Sequence, residues 1–222
     1  MDAERLQDVV HRGLGRAGRA VGQWCEAYRA SGPEAPLATR NRFLRLQAGF
    51  TPPDGRFGRP VMHGQLFWHG IFDAAYTRPG DYLLRRETRR GAADGGVWFI
   101  AAQQKLVPVL CVRATRVVDF SRPAAPQYPG AASYSGSLPG EELVLLRGWP
   151  VGVSQAGSDG TGQADLPDDT GGASWTVLLP SLGGVVLRAG DRMGDDLERK
   201  GVVASAELSD LGWRLRVRQA AA

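Results

Sequence analysis

The segment Arg-x-Gly-Asp occurs twice, as RPGD at residues 78–81 and RAGD at residues 188–191, each ahead of a β-rich stretch. Glycine gives such a turn its backbone freedom, and the aspartate can accept hydrogen bonds from nearby main-chain N–H groups. The surroundings of the two turns also match. A tryptophan strand lies upstream, around Trp68 in one case and Trp175 in the other, and a large residue, Tyr82 or Arg192, follows the aspartate. After a charged excursion come WFIAAQ and GVVASAEL, and the closing strands VPVLCVRATR and GWRLRVRQ both carry arginines near their ends. Features that recur in this order predict one small antiparallel unit written twice. The fold class expected is mainly β, with two barrel- or sandwich-like units arising by tandem duplication and a helix at the N-terminus.

Composition agrees. The 30 glycines and 14 prolines among 222 residues favour a turn-rich β protein over a helix bundle, and 43% apolar residues suffice for one large or two small cores. The formal charge is +4, and nearly all the positive charge is arginine, Lys105 and Lys200 being the only lysines. Acidic residues are interspersed and no dense basic tract occurs, which argues against a dedicated nucleic-acid binder and leaves only incidental proximity to DNA. Cys25 and Cys111 are too far apart for a CxxC motif, so neither a disulfide framework nor a zinc site is expected. The N-terminal segment lacks the apolar centre of a signal peptide, and no stretch approaches the roughly 20 apolar residues of a membrane span. The expectation is a soluble chain made in a cytoplasm, with no membrane partner.

Residues 2–21 read as a helix whose stripe is Leu6, Val9, Val10, Gly13, Leu14, Ala17 and Val21. Gly13, Gly15 and Gly18 weaken it, so it needs packing, against its own domain or against a partner. Strands are expected at residues 43–50, 66–72, 82–85, 97–101, 107–114, 142–147 and 175–180. Residues 123–140 are rich in Pro, Gly, Ser and Ala and read as the connection between two halves, a loose linker or an arm anchored on a neighbouring subunit by Tyr128 and Tyr134. The resulting division is 1–36 (helix and loop), 37–122 (first β unit), 123–140 (linker or arm) and 141–222 (second β unit). In the last strand Trp213, Leu215 and Val217 alternate with Arg214, Arg216 and Arg218, the pattern of a half-buried strand.

No catalytic constellation emerges. His11, His63 and His69 lack metal-ligand spacing, and the aspartates of residues 154–174 do not follow a calcium-loop pattern. GLGRAG at 13–18 has the form of a dinucleotide fingerprint but follows no strand. Asp195, Asp196, Glu198 and Arg199 read as a solvated hairpin tip. The reading is a non-enzyme, with no cofactor and no metal.

TRPGDYLL, VWFIAAQQKLVPVLCVRATRVVDFSRPAAP and LRAGDRMGDDLERKGVVASAELSDLGWRLRVRQA resemble segments of an uncharacterised group of bacteriophage and prophage structural proteins. The C-terminal unit is also similar to the small β-barrel of head–tail connector or stopper proteins, although this chain carries the unit twice. The resemblance implies a virion protein assembled in the host cytoplasm, a ring-forming neck subunit whose partners are further copies and portal, adaptor or tail proteins. DNA would then lie close by in the lumen. Candidate subunit contacts are Tyr128, Tyr134, Arg214, Arg216 and Arg218, with the loops 85–96 and 154–174 facing neighbours. The alternatives are a tail or baseplate hub subunit, and a decoration or carbohydrate-binding module using Trp24, Trp149 or Tyr134 as a platform.

Overall fold

The structure, a computed structural model, describes residues 3–53, 64–86, 95–123, 142–155 and 173–220. Within them a helix, α1 (Ala3–Val21), is followed by twelve strands. Six belong to a first barrel: β1 (Gln23–Tyr28), β2 (Arg42–Thr51), β3 (Phe67–Ile71), β4 (Tyr82–Arg85), β5 (Val97–Ala102) and β6 (Val109–Ala114). The other six form a second: β7 (Arg116–Arg122), β8 (Leu143–Gln155), β9 (Ser174–Leu179), β10 (Arg192–Asp195), β11 (Lys200–Ser209) and β12 (Gly212–Gln219). Every strand pairing is antiparallel, and the order around the barrels is β1-β2-β3-β6-β5-β4 and β7-β8-β9-β12-β11-β10. Adding six to each strand of the first barrel reproduces the second. Closure comes from β1 on β4 (Tyr28 opposite Tyr82) and β7 on β10 (Val118 opposite Asp195), which leaves neither sheet with a free edge.

The mainly β class and the paired units expected from the sequence are therefore present, but the boundary lies elsewhere. β1 falls within the segment expected to be helix and loop, and β7 belongs to the second barrel, so the barrels span residues 23–114 and 116–219. Thr115 alone separates them. Its N–H donates to the Val151 carbonyl at 2.8 Å, its hydroxyl donates to the Val153 carbonyl at 3.1 Å, and the Val153 N–H donates to that hydroxyl at 2.9 Å. Residues 123–140, expected to divide the halves, join β7 to β8 within one barrel; apart from Pro123 they lie outside the described residues. Their composition marks a long hairpin connection. The true junction carries no turn signal, because the chain passes from β6 to β7 almost without a break.

Side chains fill both barrels, as expected at six strands. Cys25, Ala27, Trp68, Leu83, Trp98, Ile100 and Cys111 pack in the first, combining two tryptophans with smaller side chains. Val118, Phe120, Val177, Met193, Val203 and Leu215 pack in the second. Residues that alternate with the first set, Tyr82 and Phe99, belong instead to the second barrel's cluster. The Tyr82 ring meets Trp149 edge-on at 6.1 Å, and its hydroxyl donates to the Pro150 carbonyl at 2.9 Å. One apolar core thus runs across the junction.

The helix sits on β2 and β3 through its glycines. A Cβ at Gly18 would lie 2.6 Å from the Ile71 carbonyl oxygen and 2.9 Å from that of Gln47, and one at Gly22, just past the helix, would lie 2.5 Å from the Ala48 carbonyl carbon. Helix and barrel backbones therefore nearly touch. The apolar stripe is covered only in part: Val10 and Leu14 are half-buried, while Leu6, Val9 and Val21 are 37%, 55% and 69% exposed. Of the two packings left open by the sequence, this chain's own barrel takes the glycine face and leaves part of the aliphatic ridge uncovered.

Candidate interaction surfaces

Each Arg-x-Gly-Asp turn holds its aspartate against a distant arginine. Asp81 is 1% exposed, and the Arg29 guanidinium binds it through Nε and Nη2, both at 2.8 Å. Asp191 is 2% exposed and is held in the same way by Arg122 Nε at 2.8 Å and Nη2 at 3.0 Å. The correspondence extends further. Arg78 N–H donates to Asp81 at 2.9 Å, as Arg188 N–H does to Asp191 at 2.7 Å. Arg29 also reaches the Tyr76 carbonyl and Arg122 the Val186 carbonyl, each five residues before the aspartate. Gly80 and Gly190 adopt φ of +93° and +91°, which a side chain would strain, and their N–H groups bond to Ile100 and Val203. Bidentate arginine–carboxylate pairs are strong and geometrically specific. Both carboxylates are consumed by this scaffolding. Pairing with the aspartate raises the pKa of Arg29 and of Arg122 further, outweighing the opposing effect of burial.

The hairpin around Asp195 is less solvated than the sequence suggested. Its carboxylate is enclosed: Oδ1 accepts the N–H groups of Leu197 at 3.0 Å and Arg199 at 2.9 Å, and Oδ2 accepts Arg199 Nε at 2.7 Å. Burial pushes its pKa up, but the bonds from Arg199 and the two N–H groups outweigh it and hold the group below the usual aspartate value. Asp196 stays exposed. On the first barrel, Glu26 accepts the Tyr28 hydroxyl at 2.9 Å, with Arg42 at 3.0 Å and Arg86 at 3.4 Å; the tyrosine bond, then the two arginines, keep its pKa low. Glu142 is likewise held low by the Ser121 hydroxyl and by Arg192. Every acid in these clusters is a structural acceptor.

Among the candidate contacts, Arg214, Arg216 and Arg218 are exposed along β12, while Trp213, Leu215 and Val217 are buried, as the period-two pattern requires. Across the sheet Arg214 lies opposite Glu207 and Leu178, and Arg216 opposite Ser205 and Thr176. Tyr128 and Tyr134 lie outside the described residues, as does most of the two loops expected to face neighbours. Of the aromatic platform, Trp24 is 45% exposed beneath Arg45, but Trp149 is 1% exposed and donates its indole N–H to the Pro33 carbonyl at 2.6 Å. Trp149 belongs to the joint between barrels and cannot be a contact surface. Burial pushes the Cys25 thiol up to about 11 and raises that of Cys111 as well, so both remain protonated. His11 shares a 2.7 Å hydrogen bond with Gln7 on α1, and among the described residues no cluster of His, Cys, Asp or Glu has the grouping to hold a metal ion.

The surface features that sequence reading missed are apolar. An open groove of about 500 Å³ lies between the barrels, walled by Leu66 and Phe67 on one side and by Leu178, Leu211 and Trp213 on the other, with Glu207 among its lining. Leu208, near the end of β11, and Leu211, in the β11–β12 turn, are 55% and 42% exposed. Only the neighbouring pair of barrels creates the groove, so no local motif signals it. Comparison of the chain with family models, with curated proteins and with solved structures finds no match.

Proposed function

We propose that this chain is a structural subunit of a bacteriophage particle, a ring-forming protein of the head–tail connector or neck. The observation that carries the reading is a barrel duplicated strand for strand and fused through one core, whose buried acids are all engaged by arginines while apolar residues of α1 and of the β11–β12 turn stay at the surface. Such a molecule offers faces for neighbours. The bacteriophage assignment draws on the resemblance of the segments around both Arg-x-Gly-Asp turns to phage structural proteins. The mechanism is geometric: identical subunits joined head to tail generate a ring when the rotation closes. Portal, adaptor or tail proteins then stack on the ring, with the exposed arginines of β12 facing partner subunits or the DNA in the lumen.

Light scattering on the eluting protein and electron microscopy, alone and with portal or tail proteins, test this. Closed rings of defined copy number are expected, and the protein is expected in purified virions. A chain that stays monomeric at every concentration, with or without those proteins, and is missing from virions overturns the reading.

A further inference from the structure

We infer that the aliphatic ridge of α1 in one copy seats in the groove between the two barrels of the next copy. The inference rests on the ring reading and names the contact that would build it. The ridge cannot turn inward, because Gly18 lies so close to the Ile71 and Gln47 carbonyls that no rotation of α1 would admit a valine or leucine on that side. Leu6 and Val9 therefore stay largely exposed within one chain, Val21 rests only its edge on Gly49, and Gly13 has no neighbour within 4 Å of where its Cβ would be. A ridge with glycine between its aliphatic groups lets another surface approach closely. The groove offers the matching concavity, with Leu66, Phe67, Leu178 and Leu211 in its walls.

Charge selects this pairing over the symmetric one. One flank of the ridge carries Arg5, Arg12, Arg16 and Arg19, all exposed. Two ridges packed on each other would bring two arginine rows together, and like charges across an interface disfavour association. The β11–β12 hairpin beside the groove presents Glu207 and Asp210, both exposed, next to Leu208 and Leu211. Arg214, opposite Glu207, also lines the groove, so the carboxylate at the turn, Asp210, is the one left facing outward for the arginine row. Apolar meets apolar and arginine meets carboxylate when the helix of one copy meets the groove of the next. A contact of that kind is heterologous, the kind that closes into rings.

The test uses Val9→Asp on the ridge and Leu211→Asp in the groove, both at exposed positions, with circular dichroism to verify the fold. Each variant alone should be monomeric where the unaltered protein assembles. A 1:1 mixture should give dimers and nothing larger, because one intact ridge then meets one intact groove and the chain of contacts stops there. Assembly unaffected by Val9→Asp overturns this contact while leaving the ring reading standing. Dimers formed by Leu211→Asp alone point to ridge-on-ridge pairing and overturn it, as does a mixture that stays monomeric. An unaltered protein that never assembles removes both. As a second measurement, Val9→Cys combined with Leu211→Cys should yield a disulfide-linked ladder on oxidation, since Cys25 and Cys111 are buried and do not compete; no cross-link in an assembled sample counts against the contact.

Discussion

Arg29 and Arg122 each hold a buried turn aspartate in place. Each fills the one position that can satisfy a buried aspartate bidentately, and each reaches it across a long stretch of chain, to Asp81 and Asp191. Removing one partner of such a pair strands a buried charge, which costs about 3–5 kcal/mol. Arg122→Met should lower the unfolding free energy measured by urea titration by that amount. Arg122→Lys should fall between, because an ammonium keeps the charge but not the two-pronged geometry. If Arg122→Met unfolds like the unaltered protein, the clamp is not what fixes the turn. The aspartates and glycines of these turns were legible as punctuation. Their arginine partners were not, because nothing local ties residue 29 to residue 81; only superposing one barrel on the other shows that both clamps occupy one place in the repeat.

Among the elements, those with a strong period were legible and those without were not. β12 alternates cleanly and was placed to within a residue. β1 was missed because its six residues include Glu26, buried by Tyr28 and two arginines, so neither face reads as apolar. β7 was missed because it follows β6 with one residue between. The helix was found, and its stripe proves covered only in part, with Val10 and Leu14 half-buried and Leu6 and Val9 exposed, since hydrophobic periodicity reports which face is apolar and not how much of it is covered. Two substitutions separate these meanings. Gly18→Val should force backbones apart and destabilise by about 1–3 kcal/mol, the usual cost of overpacking. Gly13→Ala, in open space, should stabilise by up to about 1 kcal/mol through helix propensity. Thermal unfolding followed by circular dichroism reads both; equal effects would mean that the glycines do not set how α1 is seated.

At the scale of the whole molecule the two barrels share a core, so they should unfold together. A single coincident transition by tyrosine and tryptophan fluorescence and by far-ultraviolet circular dichroism is expected. Tyr82→Ala removes the ring against Trp149 and the bond to Pro150, at a cost of about 3–5 kcal/mol typical of a buried aromatic. It should split the transition in two, whereas a loss of stability with one transition retained would place the coupling elsewhere. The duplication was legible from the order of short motifs, but the boundary was not, because a Pro- and Gly-rich stretch announces a long loop wherever it falls. The single residue between the barrels, tied by three hydrogen bonds to β8, has a further consequence. A molecule joined this way has no articulation to adjust, so the angle between its two ends is written into one polypeptide. In the proposed ring, that fixed angle is one of the two things that set how many copies close the circle, the rotation at the contact being the other.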